Sequence, residues 1–301
     1  MISLNHLGAL AHERLPSRVA DAFCSRLKPQ GRMLSAATGP DGHGPDRPRG
    51  GALGGEPALP EAAEWPVWEG HGPLSFVASL DCAALAATGE GPVSGLPLPT
   101  SGTLLFFYFD GRAANYAQLV DPTEPTTPGA RVLHVPAGTP TAPRPTPESL
   151  EPYRHVPLCV EPAVEFHVPE VERFYASLGL DAETVATDPV YVGFRDAVEE
   201  LVHSRACHQV GGAPQELGGW GPEYTVADFP PHWDLEEFTP DNPHLGDIQA
   251  EAARWRLLLQ LDSDEDAEME WGDAGILYWL MTDDDLAAHR FDHARFTWQS
   301  H

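Results

Sequence analysis

Lysine is almost missing from this chain of 301 residues: Lys28 is the only one, and arginine supplies the rest of the 18 basic residues. A phosphate-binding loop needs Gly-Lys-Ser/Thr, a protein kinase needs a strand lysine, and a pyridoxal enzyme needs a Schiff-base lysine, so all three are excluded. Positive charge as a whole is scarce, with 18 basic against 45 acidic residues and a net charge of −27. Such a surface repels phosphate backbones, which excludes nucleic-acid binding by charge. Cysteine is scarce too: Cys24, Cys82, Cys159 and Cys207 lie far apart and form no Cys-x-x-Cys pair, which predicts free thiols. Strongly apolar runs such as residues 104–109 are far short of the roughly 20 needed to cross a bilayer, so no membrane span is expected. His6, His12, Glu13 and Arg14 interrupt the first fifteen positions, which leaves no apolar core for a secretion signal and points to the cytoplasm. Neither Gly-x-Ser-x-Gly nor His-Glu-x-x-His occurs, so the common serine-hydrolase and zinc-protease signatures are missing.

What is present is the composition of a globular protein, 42% hydrophobic and 21% charged. The length is that of one large domain or two average ones, enough to bury a core without disulfide or metal staples. Glycine (28) and proline (31) are abundant and predict many turns and long loops.

Residues 4–33 carry Leu7, Leu10, Leu15, Val19, Phe23 and Leu27 at helical spacings broken by Pro16, which predicts one or two amphipathic helices. Short aliphatic or aromatic runs bounded by turn residues predict strands at 74–81, 103–110, 131–135, 158–167, 256–262, 276–281 and 294–299. Helices are expected at 169–178, at 189–207 behind Asp188, and at 285–291 behind Thr282 or Asp283. The irregular order of strands and helices favours an α+β fold, β-rich, over a doubly wound parallel sheet.

An internal repeat organises the β-rich part. Gly54-Gly55-Glu56-Pro57, a strand ending Ser79-Leu80-Asp81, and Gly102-Thr103-Leu104-Leu105-Phe106-Phe107 recur as Gly211-Gly212-Ala213-Pro214, a strand ending Gln260-Leu261-Asp262, and Gly275-Ile276-Leu277-Tyr278-Trp279. The expected organisation is an N-terminal helical segment and loop (1–49) followed by one compact unit (50–301) of two related halves, 50–140 and 150–301.

The same motifs, with Glu64-Trp65-Pro66, Gly72-Pro73-Leu74-Ser75-Phe76 and above all Leu257-Leu258-Leu259-Gln260-Leu261-Asp262-Ser263-Asp264 followed by Trp271-Gly272-Asp273-Ala274-Gly275, resemble the YwqG-like family of uncharacterised bacterial proteins. The resemblance spans about residues 50–300 and implies the family's domain of unknown function. Cys207-His208-Gln209-Val210-Gly211-Gly212 looks like that family's His-containing loop, with Gln215 too early and Gln249 too late for its following glutamine.

Several segments could carry chemistry. Residues 262–273 place Asp262, Asp264, Asp266 and Asp273 at positions 1, 3, 5 and 12 of a loop, the oxygen-ligand spacing that suits Ca²⁺. Ala267 stands where such a loop wants glycine and Asp273 where it wants glutamate, so the competing reading is an acidic turn whose Asp262 and Asp264 cap backbone amides. His289 and His293 would share one helix face, and Cys207-His208 are neighbours, but neither pair has an evident third partner. Residues 47–55 could form an anion nest. Trp220 and Trp233, in the Gly-, Pro- and acid-rich stretch 211–242, are candidate binding residues, as are His208 and Trp271.

Two functions follow as expectations. The first is a non-enzymatic binding or regulatory protein, of immunity or antitoxin type, whose acidic surface steers a basic protein partner. The alternative is a metal-dependent enzyme or metal-regulated module built on Asp262, Asp264, Asp266 and Asp273, with Ca²⁺ as the cation.

Overall fold

The computed structural model describes residues 2–25, 27, 29–36, 49–87, 96–114, 116–123, 128–164, 175–176, 178–203, 206–217, 221–230, 233 and 242–301. The strands, in chain order, are β1 (Ile2–Ser3), β2 (Pro29–Ala36), β3 (Arg49–Leu53), β4 (Ala58–Pro60), β5 (Val67–Trp68), β6 (Gly72–Pro73), β7 (Ser75–Asp81) and β8 (Thr103–Tyr108). They continue as β9 (Ala130–Val135), β10 (Thr141–Pro143), β11 (Val156–Val164), β12 (His208–Val210), β13 (Trp255–Asp262), β14 (Ile276–Thr282) and β15 (Arg295–Gln299). The helices are α1 (Leu4–Arg14), α2 (Ser17–Cys24), α3 (Cys82–Ala87), α4 (Ala182–Thr187), α5 (Pro189–His203), α6 (Pro222–Val226), α7 (Leu245–Ala252) and α8 (Asp283–Ala287). The chain is an α+β protein with an N-terminal helical segment.

One antiparallel sheet runs β15-β14-β13-β12-β2-β11-β3-β7-β8-β9. Residues 29–36, at the end of the stretch expected to be helical, form β2 at the centre of this sheet: α2 already ends at Cys24, and Pro29, which has no N–H for a helix, opens the strand. The expected helix at 169–178 falls almost entirely outside the described residues. α1 and α2 pack their apolar stripes on α5 in a separate small core, with Phe23 edge-on to Phe194 at 5.4 Å.

The sheet folds back on itself at its middle. Phe106 of β8 meets Trp279 of β14 (ring centroids 5.3 Å), and Tyr108 meets Phe296 of β15 (4.8 Å), so the two wings share one core. This explains why β14 reads as unbroken apolar sequence: Leu277, Trp279 and Met281 face the shared core, while Ile276, Tyr278 and Leu280 face a second cluster on the outer side. Each wing also reaches across to the other. Thr297 and Trp298 donate to the carbonyls of Pro122 and Val120, while Phe291 packs on His134 of β9 at 5.5 Å.

The two wings carry the same register. Leu80 pairs with Leu104 and Asp81 with Thr103, as Leu261 pairs with Leu277 and Asp262 with Ile276. The irregularity between Phe76 and Ala78 recurs between Leu257 and Leu259. Gly54 and Gly55 take positive φ (55° and 75°), as do Gly211 and Gly212 (68° and 75°). At the centre, Leu158 pairs with Ala36 and Val160 with Leu34 about the Cys159–Ser35 pair, so β2 and β11 lie across a local two-fold axis, each beside the other wing. Two β-rich halves of matching register thus share one sheet and one core.

Thr282 caps α8, its Oγ1 accepting the Asp285 N–H at 3.2 Å. Thr282→Ala is expected to cost about 1 kcal/mol, read as a lower urea midpoint at unchanged slope.

Candidate functional site

Three of the residues singled out by sequence, His208, Asp262 and Asp264, converge where β12 meets the end of β13. β12 is only three residues long, but it carries two side chains that no solvent reaches: His208 is 2% exposed and Gln209 0%. A buried polar group must find partners, and here the end of β13 supplies them. The Asp262 backbone N–H donates to His208 Nδ1 at 3.1 Å, which puts the ring proton on Nε2, and Nε2 donates to Asp264 Oδ2 at 3.0 Å. Because Nδ1 is already an acceptor, this contact is a hydrogen bond from a neutral ring to a carboxylate.

The two aspartates behave oppositely. Burial pushes the Asp262 carboxyl up, against the Cys207 backbone N–H that its Oδ2 accepts at 2.8 Å. Asp264 is held below the usual carboxylate range: burial acts upward, but the His208 ring N–H and the backbone N–H groups of Ala267 and Asp266 outweigh it. Both carboxylates thus cap backbone or ring N–H groups in the second half.

Glutamines extend the network. Gln260, 0% exposed, donates Nε2–H to the Cys207 carbonyl at 2.9 Å and accepts the Gln215 N–H at 2.8 Å. Gln209 donates to the Ala213 carbonyl at 2.6 Å. Tyr278 OH donates to the Gln215 carbonyl at 2.7 Å. The turn Gly211, Gly212, Ala213 is therefore pinned to the sheet by side chains. Gln209 and Gln260 were not anticipated, although a single amide inside Leu257-Leu258-Leu259-Gln260-Leu261 is a visible signal.

The 262–273 loop is a closed hairpin. Asp264 and Met269 exchange both backbone hydrogen bonds, 2.8 and 2.9 Å, and Ser263 Oγ accepts the Trp271 N–H at 3.0 Å. The left-handed residues are Glu268 (φ 56°), Gly272 (66°) and Ala274 (46°); Ala267, expected to be the strained position, is buried in the shared core instead. Asp262 and Asp264 turn inward, while Asp266 and Asp273 are exposed. Among the described residues no three His, Cys, Asp or Glu side chains come together as a metal-binding group, so the four expected ligands are not assembled. Their inner pair is taken up by capping.

The other expected residues fall in different places. Trp271 is not displayed for binding: it is 3% exposed, edge-on to Tyr108 and Tyr153, with its Nε1–H on the Asp262 carbonyl at 3.2 Å. Trp233 is half-buried and stacks on His244 at 5.6 Å. Trp220 lies outside the described residues. The Cys207 thiol is buried, which pushes its pKa up, and the neighbouring ring is committed to Asp264, so no nucleophile dyad forms. His289 and His293 part company because α8 ends at Ala287 and His289 takes φ 52°. His289 faces the Pro97 carbonyl and His293 faces Asp285. The expected nest is also filled: Arg49–Leu53 is a strand, and the Gly54 and Gly55 N–H groups donate to the Val77 and Tyr153 carbonyls.

Residues 51–300 match the family described as Domain of unknown function (DUF1963). No curated protein matches the chain. The match begins inside β3, so β2, which completes the sheet between the halves, lies before it.

Proposed function

The chain belongs to the DUF1963 family, and from that premise we propose that it is a YwqG-like, cytoplasmic, non-enzymatic binding or regulatory protein, of immunity or antitoxin kind, that docks a basic protein partner. The observation that carries this reading is the sorting of the 262–273 hairpin. Asp262 and Asp264 are spent on holding it shut, while Glu265, Asp266, Glu268, Glu270 and Asp273 are all exposed on a frame fixed by His208, Ser263 and Met269. Carboxylates held on a fixed frame, on a chain of net charge −27, draw a cationic surface in and set its orientation without first having to be ordered. The shared register of the two wings supports reading the protein as an internal duplication in which the second half took on this hairpin.

The test compares the protein with a variant in which Glu265, Asp266, Glu268 and Glu270 are made the matching amides. The immobilised wild type should retain a basic protein from the source lysate at low salt and release it at high salt, and the variant should retain much less. Recovery of no salt-sensitive basic protein would sink the reading. For the metal alternative the donors remain ungrouped among the described residues. Calorimetric titration with Ca²⁺ or Mg²⁺ is therefore expected to give no saturable binding tighter than about 10⁻⁵ M. Tighter binding lost in Asp264→Asn, Asp266→Asn would restore the metal-regulated module.

A further inference from the structure

The four cysteines are not equally placed. Cys82 is 0% exposed, and Cys159 and Cys207 are each 5% exposed, so the fold closes these three off from a reagent in solution. Cys24 alone is part-exposed. It is the last residue of α2, and its thiol faces α1 across the turn at Pro16.

Helical spacing lines up what the thiol meets. Gly8 and His12 are four residues apart on α1, and Asp21 and Cys24 are three apart on α2, so each pair shares one helix face. Cys24 Sγ lies 3.7 Å from His12 Nε2 and 3.9 Å from the carbonyl of Gly8, which has no side chain to lay over the sulfur. The other ring nitrogen, Nδ1, faces the Asp21 carboxylate at 3.9 Å. Sulfur, base and carboxylate thus stand in the order that activates a cysteine nucleophile. The carboxylate favours a ring proton on Nδ1, which leaves Nε2 to take the thiol proton. Glu13 and Arg14 pair with each other at 3.0 Å and stay out of this row. Burial, and then the Asp21 charge, push the Cys24 thiol up, so the sulfur rests protonated and needs a base to release it.

We infer that Cys24 is the site at which this chain is covalently modified, by exchange with small disulfides, with His12 as the proton acceptor. His12 Nε2 takes the thiol proton while the Cys24 sulfur attacks one sulfur of the incoming RS–SR. The Cys24 S–SR bond forms as the old S–S bond breaks, and the expelled RS⁻ recovers the proton from His12 as RSH. The incoming disulfide is the oxidant: Cys24 is oxidised and the departing thiol is reduced. α1 and α2 precede the residues that match the family, and the site shares no residue with the acidic hairpin, so it and the docking reading can fail separately.

The probe is cystamine, a small cationic disulfide that a chain of net charge −27 does not repel, added to the folded full chain. Intact mass should show a single adduct, mapped to Cys24 by peptide digestion, well before any adduct at Cys82, Cys159 or Cys207. His12→Gln, at a side chain 52% exposed, should melt like the wild type and react at least about tenfold more slowly. Its rate should also lose the rise across the histidine range, about pH 6–7, and climb only in the thiol range above about pH 8.5. No adduct, or one formed at a buried cysteine as fast as at Cys24, overturns the site. A rate and pH profile in His12→Gln like those of the wild type overturn the assigned base.

Discussion

Replacing Trp279 by alanine is expected to lower the unfolding free energy by about 3–5 kcal/mol, the usual cost of emptying a buried aromatic site. Trp279 is 0% exposed and joins the two wings, touching Phe106 at 5.3 Å and Phe296 at 5.1 Å. The void would open between the faces of the folded sheet, where neither wing can collapse without breaking the register of the other. Its indole N–H, however, is buried with no partner. Trp279→Phe should therefore cost far less than Trp279→Ala, because the lost ring volume is offset by removing an orphan donor worth about 1–3 kcal/mol. Guanidinium unfolding of the three proteins checks this. Equal losses in the two variants would mean that the N–H is satisfied in solution.

His208→Ala is expected to be the next most damaging change, about 3 kcal/mol. The ring's removal strands the Asp262 N–H and one oxygen of Asp264, each an unpaired group costing about 1–3 kcal/mol, and leaves a cavity. Asp264→Asn should be milder, since its amide oxygen can still accept one of the two N–H groups. The pair also differs in acid. Asp264 has a lower pKa folded than unfolded, so its contribution is complete above about pH 4 and is lost as the pH falls through the folded value. Asp262 is raised, which has the opposite sign: its charge opposes folding once the pH exceeds its unfolded value, and protonation in acid relieves that. Asp264→Asn is thus expected to flatten the loss of stability below about pH 4, and Asp262→Asn to remove a gain in stability on acidification that lies above about pH 4, between the unfolded and the raised folded value. Urea midpoints from pH 2 to 7 decide between these signs.

Much of the architecture was legible because its signals are local. Seven expected strands coincide with β7, β8, β9, β11, β13, β14 and β15, each an aliphatic or aromatic run closed by turn residues. Pro16 separates α1 from α2, and Thr282 caps α8. The strand β2 was not legible: Pro29-Gln30-Gly31-Arg32-Met33-Leu34-Ser35-Ala36 has weak alternation, and it becomes a strand by hydrogen bonding to β11 and β12, which lie far along the chain. β12 escaped for the same reason, being three residues long.

The β-rich runs, the acidic balance and the spacing of Asp262 and Asp264 are legible in the chain alone, since composition, period and spacing belong to it. Only the tertiary structure decided which carboxylates face inward. A loop of alternating aspartates can wrap an ion or cap amides with the same residues, and the choice depends on whether buried donors stand within reach. Here the His208 ring and the Cys207 N–H, brought across from another strand, claim Asp264 and Asp262. Likewise Trp65 and Trp271 are alike in sequence as aromatics beside turns. The fold seats one over Phe107 and the other between Tyr108 and Tyr153 because the sheet doubles back, a long-range pairing that no local pattern encodes.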